Sequence, residues 1–145
     1  MMSDPLYKKE ILRLAADAHG TGHLSQPHVT GKAHNPACGD SVSVELALDD
    51  FGRVTAMAHD TKACVLAQAS ASILGEKLKG ASREDVERLA NDIAAMLVTK
   101  AAPPASPFES YAVFDGVVPH RNRHRCVLLP IDAVLAAFDE SEDRT

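Results

Sequence analysis

Tryptophan is absent from this sequence, and aromatic residues make up only 4% of it. Stacking platforms for nucleic-acid bases are therefore poorly supplied. Basic charge is not in excess either. The formal net charge is −5, the wrong sign for neutralising phosphates, so no nucleic-acid partner is expected. No stretch approaches the ~20 consecutive apolar residues that a membrane-spanning helix needs, so no membrane is expected. The first residues, Met1-Met2-Ser3-Asp4-Pro5, lack the basic region and apolar run of a secretory signal, and the expected compartment is the cytoplasm. Only three cysteines occur, with no Cys-x-x-Cys pair among them. In a reducing compartment an odd, widely separated set is not a disulfide framework. The thiols are either inert packing or they serve metal or redox chemistry.

What is present is enough for a core. The chain has 145 residues, 46% of them apolar, which fits one domain over residues 1–145 without disulfide staples. Leu6 to Ala18 reads as a helix, with Leu6, Ile11, Leu14, Ala15 and Ala18 at helical spacing and Gly20 ending it. Gly20 to Asn35 is polar and rich in glycine and histidine, and is expected to be an ordered loop. Ser41 to Leu48 alternates with period two, Val42, Val44, Leu46 and Leu48 on one side, which indicates a half-buried strand. Asp49-Asp50-Phe51-Gly52 is hairpin chemistry, and Arg53 to His59 is the return strand. Asp60 to Ala63 is a short third strand or a turn. Val65 to Leu78 is a small-residue helix stopped by Gly80. Ser82 is placed to cap a helix in which Val86, Leu89, Ala90, Ile93, Ala94 and Leu97 form one apolar face. Pro103, Pro104 and Pro107 make Lys100 to Ser110 a loop, and Tyr111 to Val118 is ambiguous. Pro130 suits the first turn of a last helix with Ile131, Val134, Leu135 and Phe138 on one face. Helix, hairpin, then helices indicates an α+β fold: a small antiparallel sheet of about three strands with helices mainly on one face.

Cys38 lies in the turn His34-Asn35-Pro36-Ala37-Cys38-Gly39-Asp40, Cys64 just before a helix, and Cys126 just before the last helix. Such element ends are where binding residues are commonly held. A helix amino terminus also lowers the pKa of a nearby thiol, and Arg123 and Arg125 would add positive potential at Cys126. Three thiolates with the Asp40 carboxylate would make a four-ligand site of the kind that zinc and iron–sulfur clusters take. The competing readings stay open at this point: free cysteine is often buried packing, Asp40 can cap its turn, and the Arg121/Arg123/Arg125 run can be a solvated face. The histidines read as loop residues, with His124 near enough to Cys126 to support it.

Asn35-Pro36-Ala37-Cys38-Gly39-Asp40 followed by a hairpin resembles the U-type iron–sulfur cluster assembly family: IscU, SufU and the amino-terminal domain of NifU. Cys64 with the following Ala69-Ser70-Ala71-Ser72 run, the Gly80 to Asp85 segment, and Cys126-Val127-Leu128-Leu129-Pro130 are similar to its later motifs. The resemblance runs from the first helix to Phe138. It implies that Cys38, Asp40, Cys64 and Cys126 bind zinc or a [2Fe–2S] cluster. It also implies two partners, a cysteine desulfurase that delivers persulfide sulfur and a recipient iron–sulfur apoprotein or carrier. The IscU branch has His directly before its third cysteine, where this chain has Arg125, and the Leu-Pro-Pro-Val-Lys motif of that branch is absent. The long gap from Cys64 to Cys126 and an Arg three before the third cysteine (Arg123) resemble SufU. Ala63 replaces the glycine usual before the second cysteine.

The implied role is a scaffold or sulfur carrier rather than a classical enzyme. Docking of the desulfurase would free one thiolate to attack the enzyme persulfide, and the accepting cysteine is Cys38 or Cys126. Two other readings are a zinc-stabilised, non-catalytic interaction module and a thiol hydrolase pairing one cysteine with His34 or His124.

Overall fold

The computed structural model describes residues 8–26, 28–37 and 39–143. Among the described residues the order is α1 (Lys9–Asp17), β1 (Val29–Asn35), β2 (Asp40–Leu48), β3 (Val54–Lys62), α2 (Val65–Lys77) and α3 (Arg83–Thr99). Two 3-10 helices follow, Glu109–Val117 and Arg121–Arg123, and then α4 (His124–Asp143). The fold is α+β, as expected. The sheet is antiparallel throughout, in the order β1-β2-β3.

Period-two alternation holds in β2 from Asp40 to Leu46; a register shift between Ala47 and Leu48 then buries Ala47 and leaves Leu48, expected on the apolar side, half-buried. Asp40, Val42, Val44 and Leu46 are buried, while Ser41, Ser43 and Glu45 are half-buried. Helix α4 covers β1 and β2, α2 packs on α4, α1 and β3, and α3 packs on α4. Ile11, Leu66, Ile73, Leu74, Ile93, Phe114, Leu129, Ile131 and Val134 belong to one continuous core. Residues 69–74 of α2 are buried without a break, so α2 is a central helix, and its Ala/Ser composition lets neighbouring helices come close. Helix α3 begins with a full capping box: Ser82 accepts from the Asp85 N–H, and the Asp85 carboxylate accepts from the Ser82 N–H.

The third strand lies where a loop was expected. The segment Gly20 to Asn35 contains β1, which pairs with β2 from Val29↔Leu46 to Asn35↔Asp40. Its signal is faint because the positions facing the helices are Val29, Gly31, Ala33 and Asn35, with little apolar bulk. Gly31 shows why bulk is excluded: a Cβ there would meet the Ala133 carbonyl oxygen at 2.1 Å and the Ala137 nitrogen at 2.2 Å. Residues 60–62 are not a separate strand but the end of β3, paired with residues 41–43 of β2. Tyr111 to Val118 falls mostly in the longer 3-10 helix.

Helix α1 ends at Asp17 with Ala18 in the left-handed region, ahead of Gly20; Leu6 lies outside the described residues. The last helix starts at His124, not at Pro130, which sits inside it. Cys126 is therefore in the first turn of α4 rather than before it. No helix among the described residues is long and apolar enough to cross a membrane.

Candidate metal centre

Three chain segments meet at one end of the sheet. The turn between β1 and β2 is built by Asn35: its side-chain carbonyl accepts from the Ala37 N–H at 3.2 Å and its backbone carbonyl from the Gly39 N–H at 2.9 Å. Gly39 closes the turn with φ of 73°, a left-handed conformation that favours glycine. Asp40 is the first residue after it. The β2–β3 ladder pairs Ser41 with Lys62, so the chain leaving β3 passes Asp40 and places Cys64 at the amino-terminal cap of α2. Cys126 is supplied by the first turn of α4, which packs on both β2 and α2.

A carboxylate oxygen of Asp40 and the sulfurs of Cys64 and Cys126 all lie within 4.8 Å of one another. The remaining predicted ligand, Cys38, lies outside the described residues. Asp40 and Cys126 are buried, and Cys64 is half-buried. Neither Cys64 nor Cys126 is in a disulfide. The donor set suits zinc or an iron–sulfur cluster, which take thiolates and carboxylates in tetrahedral array. One further observation points to a bound cation. Asp40 Oδ2 is buried without a hydrogen-bond partner among the described residues, and an unpaired buried carboxylate oxygen is costly unless something positive meets it.

The electrostatics correct one expectation. The position near a helix start was expected to lower the Cys126 pKa, yet the thiol is pushed up to about 12. Burial is the main cause, and the neighbouring Cys64 sulfur works in the same direction. A hydrogen bond from Arg123 opposes them, and the Asp40 charge adds a smaller upward push. Loss of hydration outweighs the helix dipole at a residue only 2% exposed. His124, the first residue of α4, is held by backbone carbonyls. Its Nε2 lies 3.2 Å from the Val117 carbonyl and 3.1 Å from the Val118 carbonyl, at the end of the 3-10 helix. That ring nitrogen is thereby engaged by the backbone. His34 sits on β1 opposite Ser41.

Two buried polar residues link α2 to the first turns of α4. Ser70 and Tyr111 share a buried hydrogen bond of 2.9 Å, and Ser70 Oγ also donates to the Val127 carbonyl at 2.7 Å. Polar serines inside an Ala-rich helix were their only trace.

A family model described as the NifU-like N terminal domain matches residues 6–127. The chain belongs to this family. The expectation drawn from the cysteine motifs is thereby met. A NifU-like protein (N-terminal) from Brucella abortus, solved by crystallography, superimposes with a TM-score of 0.91 at 32% identity, covering 98% of each chain. A putative iron–sulfur cluster assembly scaffold protein for the SUF system from Fervidobacterium islandicum has a TM-score of 0.78 at 19% identity, covering 94% of this chain and 99% of that one. It shows a shared fold. Iron-sulfur cluster assembly protein 2 of Arabidopsis thaliana is 34% identical over 73 residues, 50% of this chain and 45% of its own. The matched stretch thus spans about half the length of that curated relative. The NifU-like family and the arrangement of Asp40, Cys64 and Cys126 together frame the functional reading.

Proposed function

We propose that this chain is an iron–sulfur cluster assembly scaffold that accepts sulfur from a cysteine desulfurase, and that Cys38, Asp40, Cys64 and Cys126 are its ligand set. The whole chain, 1–145, would act as one such domain, since α4 continues past the family match into the same core through Phe138. The convergence of Asp40, Cys64 and Cys126 carries the reading, supported by relatives whose names state cluster assembly. Zinc or a [2Fe–2S] cluster would be held by three thiolates and one carboxylate, and a bound metal keeps those thiols ionised at neutral pH.

The chain's own residues supply the rest. A freed thiolate of Cys38 or Cys126 attacks the outer sulfur of the enzyme's persulfide. A new S–S bond forms on the scaffold, the old S–S bond breaks, and the desulfurase cysteine leaves as a thiolate. Arg123, already hydrogen-bonded to the Cys126 sulfur, stabilises the anionic form during exchange. Asp40 is the weakest donor of the set, which suits a centre that must release what it holds. A structural zinc site favours four strong, closed ligands instead.

The test has two stages. Zinc, iron and acid-labile sulfide are measured per chain in protein purified without oxygen, beside Cys64→Ser. One metal per chain that the variant loses supports the ligand set; iron with matching sulfide supports a scaffold, and zinc alone a zinc-dependent sulfur acceptor. Labelled sulfur from a cysteine desulfurase is then followed onto the chain. Normal acceptance by all three single Cys→Ser variants would overturn the proposal. Unfolding on metal removal with no sulfur transfer would identify a zinc-stabilised interaction module.

A further inference from the structure

We propose that Ser70 and Tyr111 are positioning residues for the metal centre: their buried hydroxyl pair ties the first turn of α4 to α2 and so sets the spacing of Cys126 and Cys64. The inference rests on the ligand set proposed above and extends it to residues that touch no metal.

The need for such a tie comes from Pro130. A proline inside a helix has no N–H for the carbonyl four residues earlier, and here that carbonyl belongs to Cys126. The turn that carries the thiol is thus short of one helical hydrogen bond. Ser70 restrains the same turn from outside. Its hydroxyl donates to the carbonyl of Val127, the residue next to Cys126, at 2.7 Å. Tyr111 orients that hydroxyl: its own O–H lies 2.9 Å from Ser70 Oγ and 3.1 Å from the Ser70 carbonyl. With the Ser70 proton committed to Val127, the Tyr111 proton is left to serve both Ser70 oxygens. Ser70 and Tyr111 are 0% exposed, and a buried hydroxyl is costly unless it is bonded.

The placement is specific to the centre. Cys64 occupies the N-cap position of α2, so a rigid stretch of about two turns joins that donor to Ser70. Tyr111 comes from the segment between α3 and α4, so three parts of the chain meet at one pair of hydroxyls. Ser72, two residues along the same helix and equally buried, bonds elsewhere: its Oγ accepts from the His19 N–H at 3.1 Å, at the end of α1. It provides an internal control.

Tyr111→Phe, Ser70→Ala and Ser72→Ala are made in the full chain. Zinc affinity is measured by competition with a chromophoric chelator, and cobalt(II) spectra report ligand geometry. Loss of a group that orients a ligand typically weakens metal binding by 10–100-fold. Tyr111→Phe and Ser70→Ala are expected to weaken zinc binding roughly 10-fold or more and to alter the cobalt–thiolate bands. Ser72→Ala is expected to lower the thermal midpoint of the metal-free protein while keeping wild-type affinity and spectrum. Wild-type affinity and spectrum in both Tyr111→Phe and Ser70→Ala would overturn the inference. Tyr111→Phe removes a single oxygen and decides alone should Ser70→Ala not fold. A wild-type chain that binds neither metal would overturn the ligand set itself and this inference with it, a different result from normal binding in the variants.

Discussion

Ser41 faces Lys62 across the β2–β3 ladder, and this register brings Asp40 to Cys64. A slip of one residue would turn every side chain of β2 to the other face. It would move Val42, Val44 and Leu46 out of the core together with Asp40. The pairing that builds the hydrophobic face also sets where Asp40 stands relative to Cys64.

Asp40→Ala should stabilise the metal-free protein. Asp40 Oδ2 is buried with no hydrogen-bond partner among the described residues, and removing an unsatisfied buried polar atom relieves about 1 kcal/mol. Urea unfolding of the two metal-free proteins checks this; a variant less stable than wild type would show that the carboxylate has a stabilising partner in the native chain.

Gly31→Ala should be severely damaging for the opposite reason. The new Cβ would lie 2.1 Å from the Ala133 carbonyl oxygen and 2.2 Å from the Ala137 nitrogen. Both are backbone atoms of α4 and cannot rotate away. Helix α4 must then shift off β1, at a cost of about 3 kcal/mol, read as a lower denaturant midpoint.

Acid should weaken the fold through His59. Its Nδ1 lies 2.8 Å from the Thr61 hydroxyl and its Nε2 2.8 Å from the His19 carbonyl. Burial holds its pKa below the ordinary 6.5. The unfolded chain therefore binds a proton near pH 6.5 that the folded chain refuses, and stability falls as pH drops below that value. In His59→Gln the thermal midpoint should vary less between pH 7 and pH 5 than in wild type; an unchanged slope would assign the pH dependence to other groups.

Ser82→Ala should cost about 1 kcal/mol, because the capping box leaves two helix-start N–H groups satisfied by side chains and the substitution removes one of those bonds. Helix content and thermal midpoint report it.

Much of the fold was legible in the sequence because its elements are strongly periodic. Val42 to Leu48 reads directly as a strand, and Val86 to Leu97 as a helix. Strand β1 was not legible, since the space taken by α4 demands Gly31 where a strand would show an apolar residue. The start of α4 was hidden because Pro130 looks like a first turn, although here the helix accepts it further in. The cysteine motifs pointed to the family. They could not show that Asp40, Cys64 and Cys126 converge, for that depends on strand register and helix packing rather than spacing. The upward shift of Cys126 was missed for a related reason: burial at a packed helix end is a tertiary property, while the dipole that would lower it is local.

The three converging donors belong to three stretches of chain that meet only in the finished fold. Whatever they grip becomes a cross-link from the hairpin through α2 to α4. A group that needs all three donors binds the folded chain and not the unfolded one, so loading adds its binding free energy to the stability of the fold. Binding and folding would then reinforce each other, and removal of the bound group would leave the hairpin, α2 and α4 less firmly joined.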